Sequence, residues 1–265
     1  MGDLWASDLP ANLDRWELDY VLYDGWDTRS RSSGGFDAVY GIGVHHTASS
    51  TSPANDAAWC WRNSDDRPIG NVILMRDGVV WVGAAGASNT QGKGGPYTFH
   101  RGTAGQDNGN RVMFSIEAAN NGLGEPWPLV QQSAYLTLCC AVLDWATECT
   151  PGGPIVPDDV IAHFEWAPGR KYDPAGQSDW AAGSALWNMD VFRGEVADTW
   201  EDDDAMPDDE TIKRLVREVL DEGTTFGALS WAETNQNIAV GVQNSWNAIN
   251  EANVKLDQII AQLEP

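Results

Sequence analysis

The sequence is short of positive charge, of long apolar runs, of paired cysteines and of histidine, and each shortage removes a class of protein. Lysine and arginine number 16 against 39 aspartates and glutamates, a formal net charge of −23. Nucleic acid and anionic membrane surfaces carry the same sign of charge and repel such a chain, so no nucleic-acid partner is expected. No apolar stretch approaches the roughly 20 residues needed to cross a bilayer, so no membrane insertion is expected either. The four cysteines, Cys60, Cys139, Cys140 and Cys149, contain no Cys-x-x-Cys pair. Three of them fall in one helix-like stretch, and they read as buried thiols, not as a disulfide frame or a zinc ribbon. Met1-Gly2-Asp3-Leu4-Trp5-Ala6 has no basic flank and no apolar core, so no signal peptide is expected and the protein is expected to stay in the cytoplasm that makes it. Imidazole is available at His45, His46, His100 and His163 only.

What is present is enough for one sizeable core and an appendage: 265 residues, with a high count of 14 tryptophans. Asp8 is a plausible cap for a first helix. The basic stretch Arg29–Gly35 reads as a solvated turn. Val39–Val44 reads as a buried strand, with Tyr40, Ile42 and Val44 on one face and glycines between them. It ends in His45-His46, and adjacent strand residues point to opposite faces, so one imidazole can face a cleft while the other packs. Asp56–Arg62 reads as a short helix and Pro68–Met75 as a strand. Arg76-Asp77-Gly78 is a tight turn, because Asp-Gly supplies the positive φ such hairpins need, and Val79–Gly83 returns. Residues 84–110, rich in Gly, Ser and Asn and carrying His100, read as a long surface loop.

Val112–Ala118 is a further strand, and Glu117 sits on it among apolar neighbours. A carboxylate there is costly unless it has a partner or a job. Leu129–Glu148 has helical spacing and is stopped by Thr150-Pro151-Gly152-Gly153-Pro154. Val160–His163 is a short strand. A Pro- and Gly-constrained loop follows and holds Lys171 and Asp173. Residues 186–196 close this part as a helix. The expected division is a domain over 1–199, an acidic linker over 200–207 and a helical region over 208–265. Within that last region a helix is expected over Asp208–Glu222. A modest heptad runs from Asn235 to Leu263, with Val242, Ile249, Leu256 and Leu263 in one row. It suits either self-association into a homo-oligomer or a small targeting module.

A catalytic zinc site takes three protein ligands from His, Asp, Glu or Cys and leaves one position open. His45, His163 and Asp173 supply two imidazoles and a carboxylate from separate strand and loop ends. Glu117 has the character of a general base, and Lys171 is placed to stabilise a developing oxyanion. Each alone has a bland reading: His163 as the end of a strand, Asp173 as an Asx-turn before Pro174, Lys171 as solvated. Together, Val-His-His-Thr-Ala-Ser at 44–49, Met-Arg-Asp-Gly at 75–78, Ser-Ile-Glu at 115–117 and His163 with Arg-Lys-Tyr-Asp-Pro at 170–174 resemble the zinc-dependent N-acetylmuramoyl-L-alanine amidases. That family includes phage endolysins, bacterial anhydromuramyl-peptide amidases and animal peptidoglycan recognition proteins. The resemblance covers roughly residues 36–195.

The resemblance implies an α/β fold, a mixed central β-sheet flanked by helices with the zinc cleft on one face, plus the small C-terminal α-helical region. It implies Zn2+ on His45, His163 and Asp173, with His46 facing away. It gives Glu117 the role of base and Lys171 that of oxyanion partner. Where some members carry a tyrosine before the hairpin, this chain has Gly70, which puts more weight on Glu117. The implied substrate is peptidoglycan, cleaved between N-acetylmuramic acid and L-alanine. The implied setting is a phage endolysin, held in the host cytoplasm until release. The alternatives are a non-catalytic peptidoglycan-binding protein and a virion-associated wall hydrolase.

Overall fold

The computed structural model describes residues 2–49, 52–62 and 67–204. Their elements in chain order are α1 (Leu9–Arg15), β1 (Tyr20–Leu22), β2 (Gly41–Val44), α2 (Pro53–Trp61), β3 (Val72–Leu74), β4 (Val80–Val82), β5 (Tyr97–Thr98), β6 (Thr103–Ala104), α3 (Gly109–Val112), β7 (Met113–Ala118), α4 (Leu129–Cys149), β8 (Val160–Ala162), α5 (His163–Trp166) and α6 (Met189–Asp204). Six strands form one sheet in the order β1-β4-β3-β7-β2-β8. Every pairing is parallel except the β3–β4 hairpin, so the sheet is mixed, as expected. The hairpin turns at the expected place: Gly78 has φ +85° and the Val79 N–H donates to Asp77 Oδ1 at 3.2 Å.

Period-two alternation sorts the sheet's side chains into two different interiors. Ile42 and Val44 of β2, Val72 and Leu74 of β3, and Phe114 and Ile116 of β7 pack with Leu138, Val142 and Trp145 of α4 and Phe192 of α6. This is the main core, and burial of its large side chains contributes on the order of 1.5–3 kcal/mol each. On the opposite face Ile73 packs with Ala57, Cys60 and Trp61 of α2. That second face also carries Gly43, Ser115 and Glu117, and is where the sheet turns polar.

Several local readings change. Asp8 precedes α1 but makes no capping bond; its carboxylate accepts from Trp145 Nε1 at 2.9 Å and so ties α1 to α4. The strand expected over Pro68–Met75 is confined to Val72–Leu74. His163 opens α5 instead of ending a strand. The closing helix runs to Asp204, so the first residues of the expected linker are helical. The rest of that linker, the 208–222 helix, the 235–263 heptad and the proposed homo-oligomer lie outside the described residues. None of the four cysteines forms a disulfide, and three of them are buried.

The largest departure is the segment expected to be a surface loop. Ala84, Ala85, Ala87, Ser88 and Gln91 are buried, and only its later part forms the small β5–β6 ribbon. Asn71 holds it in. Its Nδ2 donates to the carbonyls of Ala84 at 2.9 Å and Gly86 at 2.8 Å, and its Oδ1 accepts from the Ser115 N–H at 3.1 Å. The Asn71 side chain is entirely buried. Asn71→Ala strips three buried backbone groups of their partner and should cost about 2–4 kcal/mol in urea unfolding. A loss within experimental error would show that the segment is held by packing alone.

Candidate metal centre

Strand register assembles the site. Val44 pairs with Ile116 of β7 and with Ala162 of β8, both parallel. The residues that follow, His45, Glu117 and His163, therefore meet at one level, where β2 and β8 have ended and β7 has one residue left. Open parallel sheets bind ligands at this carboxyl edge, because the chain there leaves the ladder. The Tyr135 hydroxyl, from α4, pins the place: it accepts from the His45 N–H at 3.1 Å and donates to the His45 carbonyl at 3.0 Å.

His45 Nδ1 lies 2.9 Å from His163 Nδ1, and each lies 3.0 Å from Asp173 Oδ2. The two rings meet edge to face at 81°. Both imidazoles are buried, and the Asp173 side chain keeps 15% exposure toward a cleft of about 430 Å³. Glu117, Lys171, His46, Trp59, Arg67 and Asn89 line the same cleft. All five residues singled out from the sequence are thus brought together. His100 is not among them: its Nδ1 is 3.1 Å from Asp159 Oδ1. His46 turns from the two ligand-type imidazoles to the Asp173 loop, where its Nδ1 accepts from the Ala175 N–H at 3.2 Å.

The donor set fits a metal ion. His163 Nε2 is 3.0 Å from the Gln91 carbonyl, an acceptor only, so the His163 proton sits on Nε2 and Nδ1 presents a lone pair. A carboxylate oxygen and two facing imidazole nitrogens at mutual distances of 2.9–3.0 Å cannot all be satisfied by one proton. One cation can satisfy all three. Zinc bonds of about 2.0–2.1 Å in a tetrahedron put ligand atoms about 3.3 Å apart, close to the spacing found. Among the described residues these three are the group of His, Cys, Asp or Glu side chains that could hold a metal.

The electrostatics agree. Burial, with the neighbouring His163, pulls His45 down to about 4, so it is neutral at physiological pH. Burial alone would raise Asp173, but its close contacts with His163 and His45 outweigh it and hold the carboxyl well below its usual range. Glu117 goes the other way. Burial, then the negative charge of Asp173, raise it well above an ordinary carboxyl, and the Lys171 charge partly opposes the rise. Glu117 Oε2 is buried with no hydrogen-bond partner among the described residues. Gly70 makes room for it, since a Cβ there would sit 3.0 Å from Glu117 Cγ.

The sequence reading missed Tyr135 as more than a core residue, and it missed Gln91. Tyr135 carries the spacing of a helix's apolar face, which hides its hydroxyl. Gln91 lies in a segment whose small residues look like a surface loop.

The family model described as N-acetylmuramoyl-L-alanine amidase matches residues 35–176, more than half of the chain. No curated protein sequence matches. Similar solved structures include LysC, an N-acetylmuramoyl-L-alanine amidase of Clostridium intestinale, at 14% identity, covering 68% of this chain and 96% of that one with a TM-score of 0.44. AmpDh3 of Pseudomonas aeruginosa, in complex with an anhydromuramic pentapeptide, is 18% identical over 60% of this chain and 63% of that one, with a TM-score of 0.42. The Staphylococcus aureus hydrolase AmiA is 12% identical over 73% of this chain and 90% of that one, with a TM-score of 0.43.

If the three side chains bind one ion, purified His45→Ala, His163→Ala and Asp173→Ala proteins should each hold zinc more than about 100-fold more weakly than wild type. His46→Ala should keep its metal. Elemental analysis after dialysis against a chelator reads this out, and metal lost from the His46 variant but kept by the His45 variant would reverse the assignment within the pair.

Proposed function

The chain belongs to the N-acetylmuramoyl-L-alanine amidase family and is a peptidoglycan amidase, and we propose that its catalytic centre is the cleft where His45, His163 and Asp173 hold zinc. The observation that carries this reading is the convergence of three ligand atoms at 2.9–3.0 Å beside a buried carboxylate whose Oε2 has no partner among the described residues. Bound zinc supplies a Lewis acid that polarises a carbonyl and brings the pKa of water toward neutrality. The bond cleaved joins the lactyl group of N-acetylmuramic acid to the L-alanine of the stem peptide.

Glu117 takes the proton of the attacking water and passes it to the departing amine. A base works best with a pKa near the working pH, and the raised pKa of Glu117 moves it in that direction. Lys171 sets its ammonium in the same cleft, where it offsets the negative charge that grows on the carbonyl oxygen. The endolysin setting belongs to this proposal too: the protein acts on the wall of a phage host at lysis. Cells producing it internally should stay intact until the membrane is permeabilised and then lyse; lysis without permeabilisation would count against that setting.

Digestion of purified walls tests the reaction. New L-alanine amino termini should appear without new reducing sugars, and other amino termini would mean a peptidase. Glu117→Gln should keep zinc and lose roughly 10²-fold or more in turnover. The pH profile carries a sign. Glu117 must be ionised to act, so kcat/KM should fall as pH drops through its raised pKa. Lys171 lowers that pKa, so Lys171→Ala should move the limb to higher pH as well as slow the reaction. A limb that stays in place in Lys171→Ala, or an active Glu117→Gln protein, removes Glu117 from the role of base.

A further inference from the structure

We propose that Gln91 is the positioning residue for both imidazoles of this centre, its backbone fixing the tautomer of His163 and its side-chain amide fixing that of His45. The inference rests on the zinc reading above and goes beyond it to what presents the lone pairs. Gln91 is entirely buried, and its N–H donates to Asn110 Oδ1 at 2.7 Å, so its main chain is held. Its carbonyl lies 3.0 Å from His163 Nε2 and also accepts from Arg170 Nη2 at 3.0 Å. A carbonyl can only accept, so the His163 proton is kept on Nε2.

The side chain faces the other imidazole. Gln91 Nε2 is 3.2 Å from His45 Nε2 and 3.0 Å from Ser115 Oγ, while Gln91 Oε1 is buried with no partner among the described residues. With the amide nitrogen donating, a neutral His45 carries its proton on Nδ1, aimed at Asp173 Oδ2 3.0 Å away. That tautomer cannot give its Nδ1 lone pair to a metal. Turning the amide through 180° puts Oε1 against His45 Nε2 and Ser115 Oγ, and both can donate to it. The His45 proton then sits on Nε2 and the Nδ1 lone pair joins the other two ligand atoms. The amide nitrogen takes the position where the oxygen had no partner, so one buried amide end goes unpaired in either orientation. What separates the two orientations is therefore the His45 proton, and a metal at Nδ1 selects the one in which Gln91 accepts.

β2 is shaped for this side chain. A Cβ on Gly43 would stand 2.0 Å from Gln91 Nε2, so any other residue there would expel the amide. Partners that orient metal-bound imidazoles are commonly worth 10–100-fold in metal affinity.

The test is zinc affinity by chelator competition in wild type, Gln91→Leu and Gln91→Glu, with thermal unfolding of the zinc-free proteins to establish that each is folded. Gln91→Leu keeps the bulk and removes the acceptor; it should bind zinc about 10–100-fold more weakly. Gln91→Glu restores an acceptor and should bind at least as tightly as wild type. A Leu variant with wild-type affinity overturns the proposal. So does a Glu variant that falls as far as the Leu variant, because the side chain would then act by packing alone. Should Gln91→Leu not fold, long-range proton–nitrogen spectra of the wild-type protein decide: with zinc, both imidazoles should carry their proton on Nε2. A zinc-loaded His45 protonated on Nδ1 overturns the proposal. A wild-type protein that takes up no zinc refutes the metal reading itself, which is distinguishable from wild-type uptake with unaltered variants.

Discussion

Everything at the cleft depends on the parallel pairing of β2 between β7 and β8. Because Val44 is level with both Ile116 and Ala162, the next residue of each strand reaches the sheet's edge together, and those residues are His45, Glu117 and His163. A slip of one residue in either pairing would turn a functional side chain to the apolar face. The register is defended by that face: Ile42, Val44, Phe114, Ile116 and Val160 are all buried in the core beneath α4. The same alternation that buries these apolar residues brings the polar ones to the opposite side. Core and site are thus two readings of one pattern, and a mutation that slackens the first displaces the second.

The site is electrostatically expensive, and its parts are arranged so that one cation among them would relieve much of that cost. Burying ionised groups without partners is unfavourable by several kcal/mol each, unless the group shifts its pKa. Asp173 is held ionised beside two imidazoles, whereas Glu117, on β7, is pushed toward its neutral form by burial and by Asp173 itself. Carboxyls in one cleft driven in opposite directions have separated roles: one suited to stay charged as a ligand, the other suited to exchange a proton. A cation among His45, His163 and Asp173 would remove the negative charge that Glu117 feels from Asp173 and make its ionised form accessible nearer neutral pH.

Much of this was legible before any coordinates. The Asp77-Gly78 turn, the β2 alternation ending in two histidines and Glu117 among apolar neighbours are local signals, set by backbone sterics and by period two. What escaped depends on contacts distant in sequence. Nothing local distinguishes a surface loop from a segment drawn inside by Asn71, because Gly, Ala and Ser serve both. A small residue such as Gly86, which suggests exposure, is what lets the backbone pass close to Trp5 and Ser30. Asp8 likewise sits where a cap would sit, but the Trp145 indole nitrogen, 137 residues away, claims its carboxylate. Propensity names candidates for such bonds, and only the tertiary contact chooses among them.

The residues that escaped share a chemical character. Asn71, Gln91 and Tyr135 are neutral and buried: Asn71 and Tyr135 bond main chain at or near β2, β3 and β7, and Gln91 bonds the two imidazoles and Ser115 Oγ. Backbone groups leaving a ladder need partners, and next to this cleft a charged partner would carry a penalty. An added ammonium would repel a cation held by Asp173, and an added carboxylate would raise Glu117 further. Amides and a hydroxyl close the same hydrogen bonds without adding net charge to the field that separates Asp173 from Glu117. The motif residues are charged or titratable, which is why a sequence exposes them. The groups that hold them in place are neutral, so they look like ordinary core or loop.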